Sequence, residues 1–235
     1  MKTLEEYKIW LKKIQRNNEL DHLEFVWELM RSPFIEFHYS LIIDNGLNNE
    51  FSRDLKSRFN EHIEAEDFLI GKLINNQDIE FHSEIIYLLG KINKKHKAKI
   101  LEYAKKLAED QNSYTREKAI IVLGWIGKSA ETKILEKHLL EDKNEKCRAW
   151  SASSFMQMWF NRKSVKTKAY RAFEKALLSE TDPFVISVIL NAIRTIGKTK
   201  LGISQTSLDE LNITQINIGK EKAIRHIEKT LKSKK

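Results

Sequence analysis

The sequence predicts an all-α fold, a right-handed α-solenoid of stacked antiparallel helical hairpins, on three observations. A helix-ending apolar signature with glycine recurs as Leu89-Gly90-Lys91-Ile92, Leu123-Gly124-Trp125-Ile126-Gly127-Lys128 and Ile193-Arg194-Thr195-Ile196-Gly197-Lys198. Gly90 and Gly124 stand 34 residues apart and Gly127 and Gly197 stand 70 apart, with a degenerate copy, Met156-Gln157-Met158-Trp159-Phe160, between them. Such a period marks helical hairpins that bury their apolar faces only against neighbouring repeats. Apolar spacing is helical, as in Ile85, Leu88, Leu89, Ile92 and in Ala119, Val122, Leu123, Ile126, and strand alternation is absent. Two prolines and eight glycines among 235 residues are too few for a turn-rich sheet protein.

Taken in order, residues 1–75 read as an irregular acidic helical N-terminal cap. Thr3 with Glu6 and Asp21 with Glu24 have capping-box spacing, and Ser32-Pro33 places a cap before a proline at the first helical position. Residues 76–198 read as the repeats, with two helix classes. One carries a single apolar stripe (Ile100, Leu101, Ala104, Leu107; Ile134, Leu135, His138, Leu139; Tyr170, Phe173, Ala176, Leu177) and fits an outer layer. The other, at 116–126, 148–160 and 185–196, is apolar nearly all round and fits a spine; Asp182-Pro183 opens its last member. The rhythm then breaks: 199–218 reads as an inserted loop, and 219–235 as a C-terminal capping helix and basic tail in one continuous domain. Ser207 with Glu210 again has capping-box spacing.

Charge narrows the function. The net +8 divides into ten Lys/Arg against sixteen Asp/Glu in residues 1–80 and thirty-one against seventeen in 81–235. Such a two-ended field steers a polyanion to one end and a basic partner to the other. No apolar run approaches a membrane span, residues 1–6 lack a signal-peptide profile, and the lone Cys147 suits a reducing compartment, so a cytoplasmic protein is expected.

The spacing of Asp110 before Arg116 and of Asp142 before Arg148, each leading into an apolar helix such as 116–124, resembles HEAT-like repeats over residues 65–198. Asp182-Pro183-Phe184-Val185 is a third loop of that kind without the arginine. The resemblance implies a superhelical scaffold that binds proteins, with Asp110, Arg116, Asp142 and Arg148 as a structural ladder joining successive repeats. It also implies that the spine layer faces the concave side.

Catalytic signatures are missing: there is no phosphate-binding glycine loop, GxSxG, HExxH or CxxC. No catalytic residue, cofactor or metal is expected. His62 with Glu66 has a chelating i,i+4 spacing, and His62, Glu64, Glu66 and Asp67 read as a solvated acidic face. Cys147 reads as a packed small residue, although Arg148 beside it would lower a thiol pKa. The candidates lie in the charge and the aromatics instead. Connections after the spine helices carry Lys91, Lys94, Lys95, Lys97 and Lys99, then Lys128 and Lys133, then Arg162, Lys163, Lys166 and Lys168, then Lys198 and Lys200; the opposite connections carry Asp78, Glu109, Asp110, Glu141, Asp142, Glu180 and Asp182. Five lysines in one connection exceed what a helix macrodipole explains. Lys94, Lys95, Lys128, Arg162, Lys163, Lys166 and Arg194 are therefore expected to bind a partner, with Trp125 and Trp159 as inner-layer anchors. Trp10 and Trp27 read as core.

The expected function is a non-catalytic scaffold that recognises a protein partner, of which a bacterial immunity protein neutralising a toxin is one form. The alternative is a nucleic-acid-binding protein that resembles the HEAT-like alkylpurine DNA glycosylases in architecture; an adaptor for a cofactor-bearing protein is a third reading.

Overall fold

Among the described residues, 2–16, 22–44 and 46–232, the computed structural model contains α-helices and three short 3₁₀ helices and no strand. The chain divides into two compact units, Met1–His96 and Lys97–Lys235. The division falls at 96/97, inside the segment 76–198 read from the sequence as one run of repeats.

The first unit holds α1 (Leu4–Arg16), α2 (His22–Leu29), α3 (Ile35–Ile42), α4 (Asn49–Arg58), α5 (Ala65–Ile74) and α6 (His82–Ile92). Thr3 and Glu6 close the expected capping box on α1: the Thr3 N–H donates to the Glu6 carboxylate at 2.6 Å and the Glu6 N–H to Thr3 Oγ1 at 3.3 Å. The Asp21 half of the second box lies outside the described residues. Ser32-Pro33 does not open a helix. The Ser32 hydroxyl donates to the Leu29 carbonyl at the end of α2 and accepts the Phe34 N–H, so Pro33 sits in the turn and α3 starts at Ile35. These helices are short, and large rings fill between them: Tyr7, Phe25, Phe51 and Phe59 are buried, with edge-to-face contacts at 5.9 Å for Tyr7 on Phe25 and 5.8 Å for Phe25 on Phe51. Trp27 is 45% exposed rather than core, because it stands on the outer side of α2 while Phe25, Val26 and Leu29 take the inner one.

The second unit holds α7 (Lys97–Leu107), α8 (Ser113–Ile126), α9 (Thr132–Glu141), α10 (Glu145–Asn161), α11 (Lys166–Ser179), α12 (Pro183–Gly197), α13 (Gln205–Asp209) and α14 (Ile213–Lys232). Helix α10 packs against α8, α9 and α12, α9 against α11, and α14 against both α11 and α12. Small residues permit the α8–α10 approach. Ser154 Oγ donates to the Ile120 carbonyl at 2.9 Å, and a Cβ on Gly124 would stand 2.7 Å from Ser154 Cβ. Of the recurring glycines, Gly127 caps α8 in an extended conformation and Gly197 is the last residue of α12, after which Lys198 takes φ +51°, whereas Gly90 and Gly124 lie inside α6 and α8. Gly197 leaves room for Tyr170 and His226, whose polar atoms would lie within 3 Å of an added Cβ.

Residues 199–218 are not loop throughout. Ser204 Oγ accepts the Ser207 N–H and caps α13, and Asn212 Oδ1 accepts the Gln215 N–H at the start of α14. Ser207 and Glu210 thus straddle the end of α13 and open nothing. Burial of Leu201, Ile203, Leu208 and Ile216 holds the segment down. Of the basic tail, Lys232 ends α14; residues 233–235 lie outside the described residues.

Candidate interaction surface

Helices α8, α10 and α12 open with one device. Asn112 Oδ1 accepts the N–H groups of Tyr114 and Thr115, Asn144 Oδ1 those of Lys146 and Cys147, and Asp182 Oδ1 those of Phe184 and Val185. Two residues before each cap an acid accepts the cap's own N–H: Asp110 at 2.8 Å, Asp142 at 3.0 Å and Glu180 at 3.0 Å. Four residues after the cap stand Arg116 and Arg148. Arg116 forks onto Asp142 through Nε (2.9 Å) and Nη2 (2.7 Å) while Nη1 donates to the carbonyls of Asp110 and Gln111. Arg148 repeats this on Glu180 (2.7 and 3.2 Å) and on the Asp142 carbonyl. Each arginine thereby ties its own loop to the acid of the next.

Of the expected ladder, the structure joins Arg116 to Asp142 and Arg148 to Glu180. Asp110 holds only its own turn; 34 residues before Arg116 stands His82, whose ring nitrogen contacts the Gln77 carbonyl at 3.1 Å. Ile186 takes the arginine's place after Asp182, and the series stops. Burial would raise the Asp142 carboxyl, but Arg116, the Asn144 amide and His138 outweigh it and hold it at about 2. With Nδ1–H donating to Asp142 at 2.9 Å, His138 keeps a buried Nε2 without a hydrogen bond, 3.8 Å from Glu109 Oε1. Cys147 is fully buried and its Sγ–H donates to the Ser113 carbonyl; burial, then the Asp142 charge, pushes the thiol up to about 12, since Arg148 turns away to Glu180.

With the helices registered by these caps, the exposed residues of α8, α10 and α12 fall at matching positions. Tyr114 and Phe184 are 45% and 38% exposed two residues after their caps, Trp150 is 38% exposed, and Phe160 is 52% exposed sixteen residues after Asn144, the register of Lys128 and Lys198. Trp125 is half-buried on this layer. Trp159 is not an open anchor: it is 9% exposed, with Lys163 Nζ 3.5 Å from its ring centre. The sequence hid the exposed rings because a helix apolar nearly all round does not say which side lacks a neighbour.

At the N-terminal ends of these helices Arg116 and Arg148 are paired with carboxylates, whereas the cations near the C-terminal ends are not. The Lys and Arg ion pairs among the described residues of this unit are Lys105–Glu131, Arg116–Asp142, Lys118–Glu117, Lys137–Glu109, Arg148–Glu180, Lys175–Glu136 and Arg225–Glu221. Lys128, Lys133, Arg162, Lys163, Lys168, Arg194, Lys198 and Lys200 make none. Several are held by neutral groups instead: Arg162 Nε donates to the Gly127 carbonyl, Lys168 Nζ to the Ser129 carbonyl and hydroxyl, and Arg194 to Gln205. Lys166 lies over the Tyr170 ring at 5.3 Å.

A family model described as HEAT repeats matches residues 66–156. That stretch is HEAT-like, as its loops suggested. No curated protein and no solved structure matches the chain. The HEAT-like stretch runs from α5 to α10 and contains the whole Arg116–Asp142 link. Its first residue, Glu66, has a role that the sequence reading missed. It is 3% exposed, and its carboxylate accepts the backbone N–H groups of Lys94 (3.0 Å), Lys95 (2.9 Å) and His96 (2.6 Å). Lys95 and His96 also bind Asp67 through their side chains. The loop carrying Lys94 and Lys95 is thus organised inward, and only the Lys94 side chain is left exposed without these contacts. His62 and Glu66 do not face solvent together. A 3₁₀ turn at Phe59–Glu61 precedes His62, α5 begins only at Ala65, and His62 turns inward to His38 with Nε2 2.9 Å from His38 Nδ1. Among the described residues no group of three or more His, Cys, Asp or Glu could hold a metal ion.

Proposed function

We propose that the chain is a non-catalytic binding scaffold and that α8, α10 and α12 present its recognition surface to an acidic protein partner. The single observation that carries this is the set of cations at their C-terminal ends, Lys128, Arg162, Lys163, Arg194, Lys198 and Lys200, which meet no carboxylate of their own unit. Uncompensated like charges repel one another and are relieved by an anionic partner. Phe160 stands in register with Lys128 and Lys198, and Trp150 and Phe184, nearer the N-terminal ends of α10 and α12, supply further rings of the kind that anchor interfaces. Register-matched packing of α8, α10 and α12 supports stacking of hairpins within this unit, with α14 packed on α11 and α12 at its end. An immunity protein is one form of the reading, and a cytoplasmic location agrees with it; among the described residues no helix is long and apolar enough to cross a membrane.

The test is affinity capture by the full chain and by a Lys128→Glu/Arg162→Glu/Lys163→Glu variant. An acidic protein retained by the first and lost by the second is the expected result. Retention of duplex or single-stranded DNA, with log affinity falling against log salt at a slope of about −4 for about five phosphate contacts, would assign the surface to nucleic acid instead. Equal retention of the same protein by both forms would overturn the site.

A further inference from the structure

The first unit carries an unusual cluster on the outer side of α2. Trp27, 45% exposed, has the guanidinium carbons of Arg31 and Arg58 over its ring at 5.6 and 5.2 Å. Among the described residues neither arginine makes an ion pair, although residues 1–80 are acidic overall. Two concavities meet at Arg31. One is lined by Leu23, Glu24, Trp27 and Glu28, the other by Met30, Pro33, Ile35, Glu61, Ile63 and Glu64. Ile63 is 89% exposed and Leu23 44%.

We infer that this face binds the same face of a second copy of the chain, forming a two-fold dimer centred on Trp27. In a two-fold contact a patch meets itself, so a patch of one sign repels and only one of mixed sign can close. Here two arginines without ion pairs share a patch with Glu24, Glu61 and Glu64, and the apolar centre of Leu23, Trp27 and Ile63 lies among them. The basic surface of the second unit cannot self-associate in this way. Tryptophan and arginine are also the side chains that dominate interface energetics when water is excluded. Guanidinium groups already stacked on an indole lose little freedom when they take up a carboxylate.

Sedimentation velocity of the full chain from about 1 to 100 μM tests this, with interfaces of ordinary size expected to associate in that range. The expected result is a monomer–dimer equilibrium. It should weaken at least about tenfold in Arg31→Glu/Arg58→Glu and in Glu61→Arg/Glu64→Arg, with helicity unchanged by circular dichroism. An equimolar mixture of these two variants should recover the dimer, a result that a merely unfolded variant cannot give. A monomer at every concentration, or a dimer indifferent to both variants, would overturn the inference.

Discussion

Arg116 and Gly124 show how much one side chain decides in this molecule. The Asp142 carboxylate is 2% exposed, and Arg116 supplies two of its hydrogen bonds. Removing the arginine leaves a buried charge short of partners, so Arg116→Ala should cost about 3 kcal/mol. Chemical denaturation checks this, and a Lys137→Ala control on an exposed pair should stay within about 0.5 kcal/mol. Gly124→Ala puts a methyl where Ser154 already is, and nothing flexible can yield; a loss of about 2 kcal/mol is expected, partly restored in Gly124→Ala/Ser154→Gly. The arginines and their aspartates were legible because charged residues at fixed spacing stand out. Glu180 was not, because a glutamate in an aspartate's place breaks the written pattern while its longer side chain still reaches Arg148.

Among the elements, the turn from α4 to α5 responds most directly to acid. His38 is fully buried, its Nε2–H donates to the Leu55 carbonyl at 3.0 Å, and its bare Nδ1 accepts from His62. This chain of bonds holds both rings neutral. Burial, with His62 beside it, lowers His38 to about 3, and burial also lowers His62. The unfolded chain binds these protons near pH 6.5 and the folded one does not, so their contribution is complete above that value and is lost as pH falls below it. The slope should approach about 1.4 kcal/mol per pH unit for His38, with His62 adding in the same direction. Hydrogen exchange should show residues 34–62 losing protection between pH 6 and 4. Asp142, lowered to about 2, gives a window of the same sign at lower pH, its contribution being complete above its ordinary value near 4 and lost only below it. Segments 110–148 should therefore stay protected where 34–62 have opened. Helix positions were legible from apolar spacing, but this histidine pair was not, since 24 residues separate its members and a scattered histidine looks alike on a surface or in a core.

For the whole molecule, charge separates what is structural from what is free to bind. Reversing Lys128, Lys198 and Lys200 should leave the melting temperature unchanged or raise it, because each now repels its neighbours without compensation. Reversing Arg116 and Arg148 should lower it by several degrees, since both sit in bidentate pairs. Calorimetry of the two triple and double variants checks the contrast. Repeat architecture was readable from the period, while the division at 96/97 and the exposed rings were not, because both depend on which faces find neighbours.

The acid, cap and arginine recur at a 32-residue spacing from Asp110, Asn112 and Arg116 to Asp142, Asn144 and Arg148. A gene in which codons 111–142 are copied in tandem would set Asp142 two places before the copied Asn112. Every new guanidinium would then find its carboxylate, and the protein could lengthen by one hairpin without redesign. Copying across Ile186 would break that grammar, so the second unit can be extended from its middle but not from its last cap.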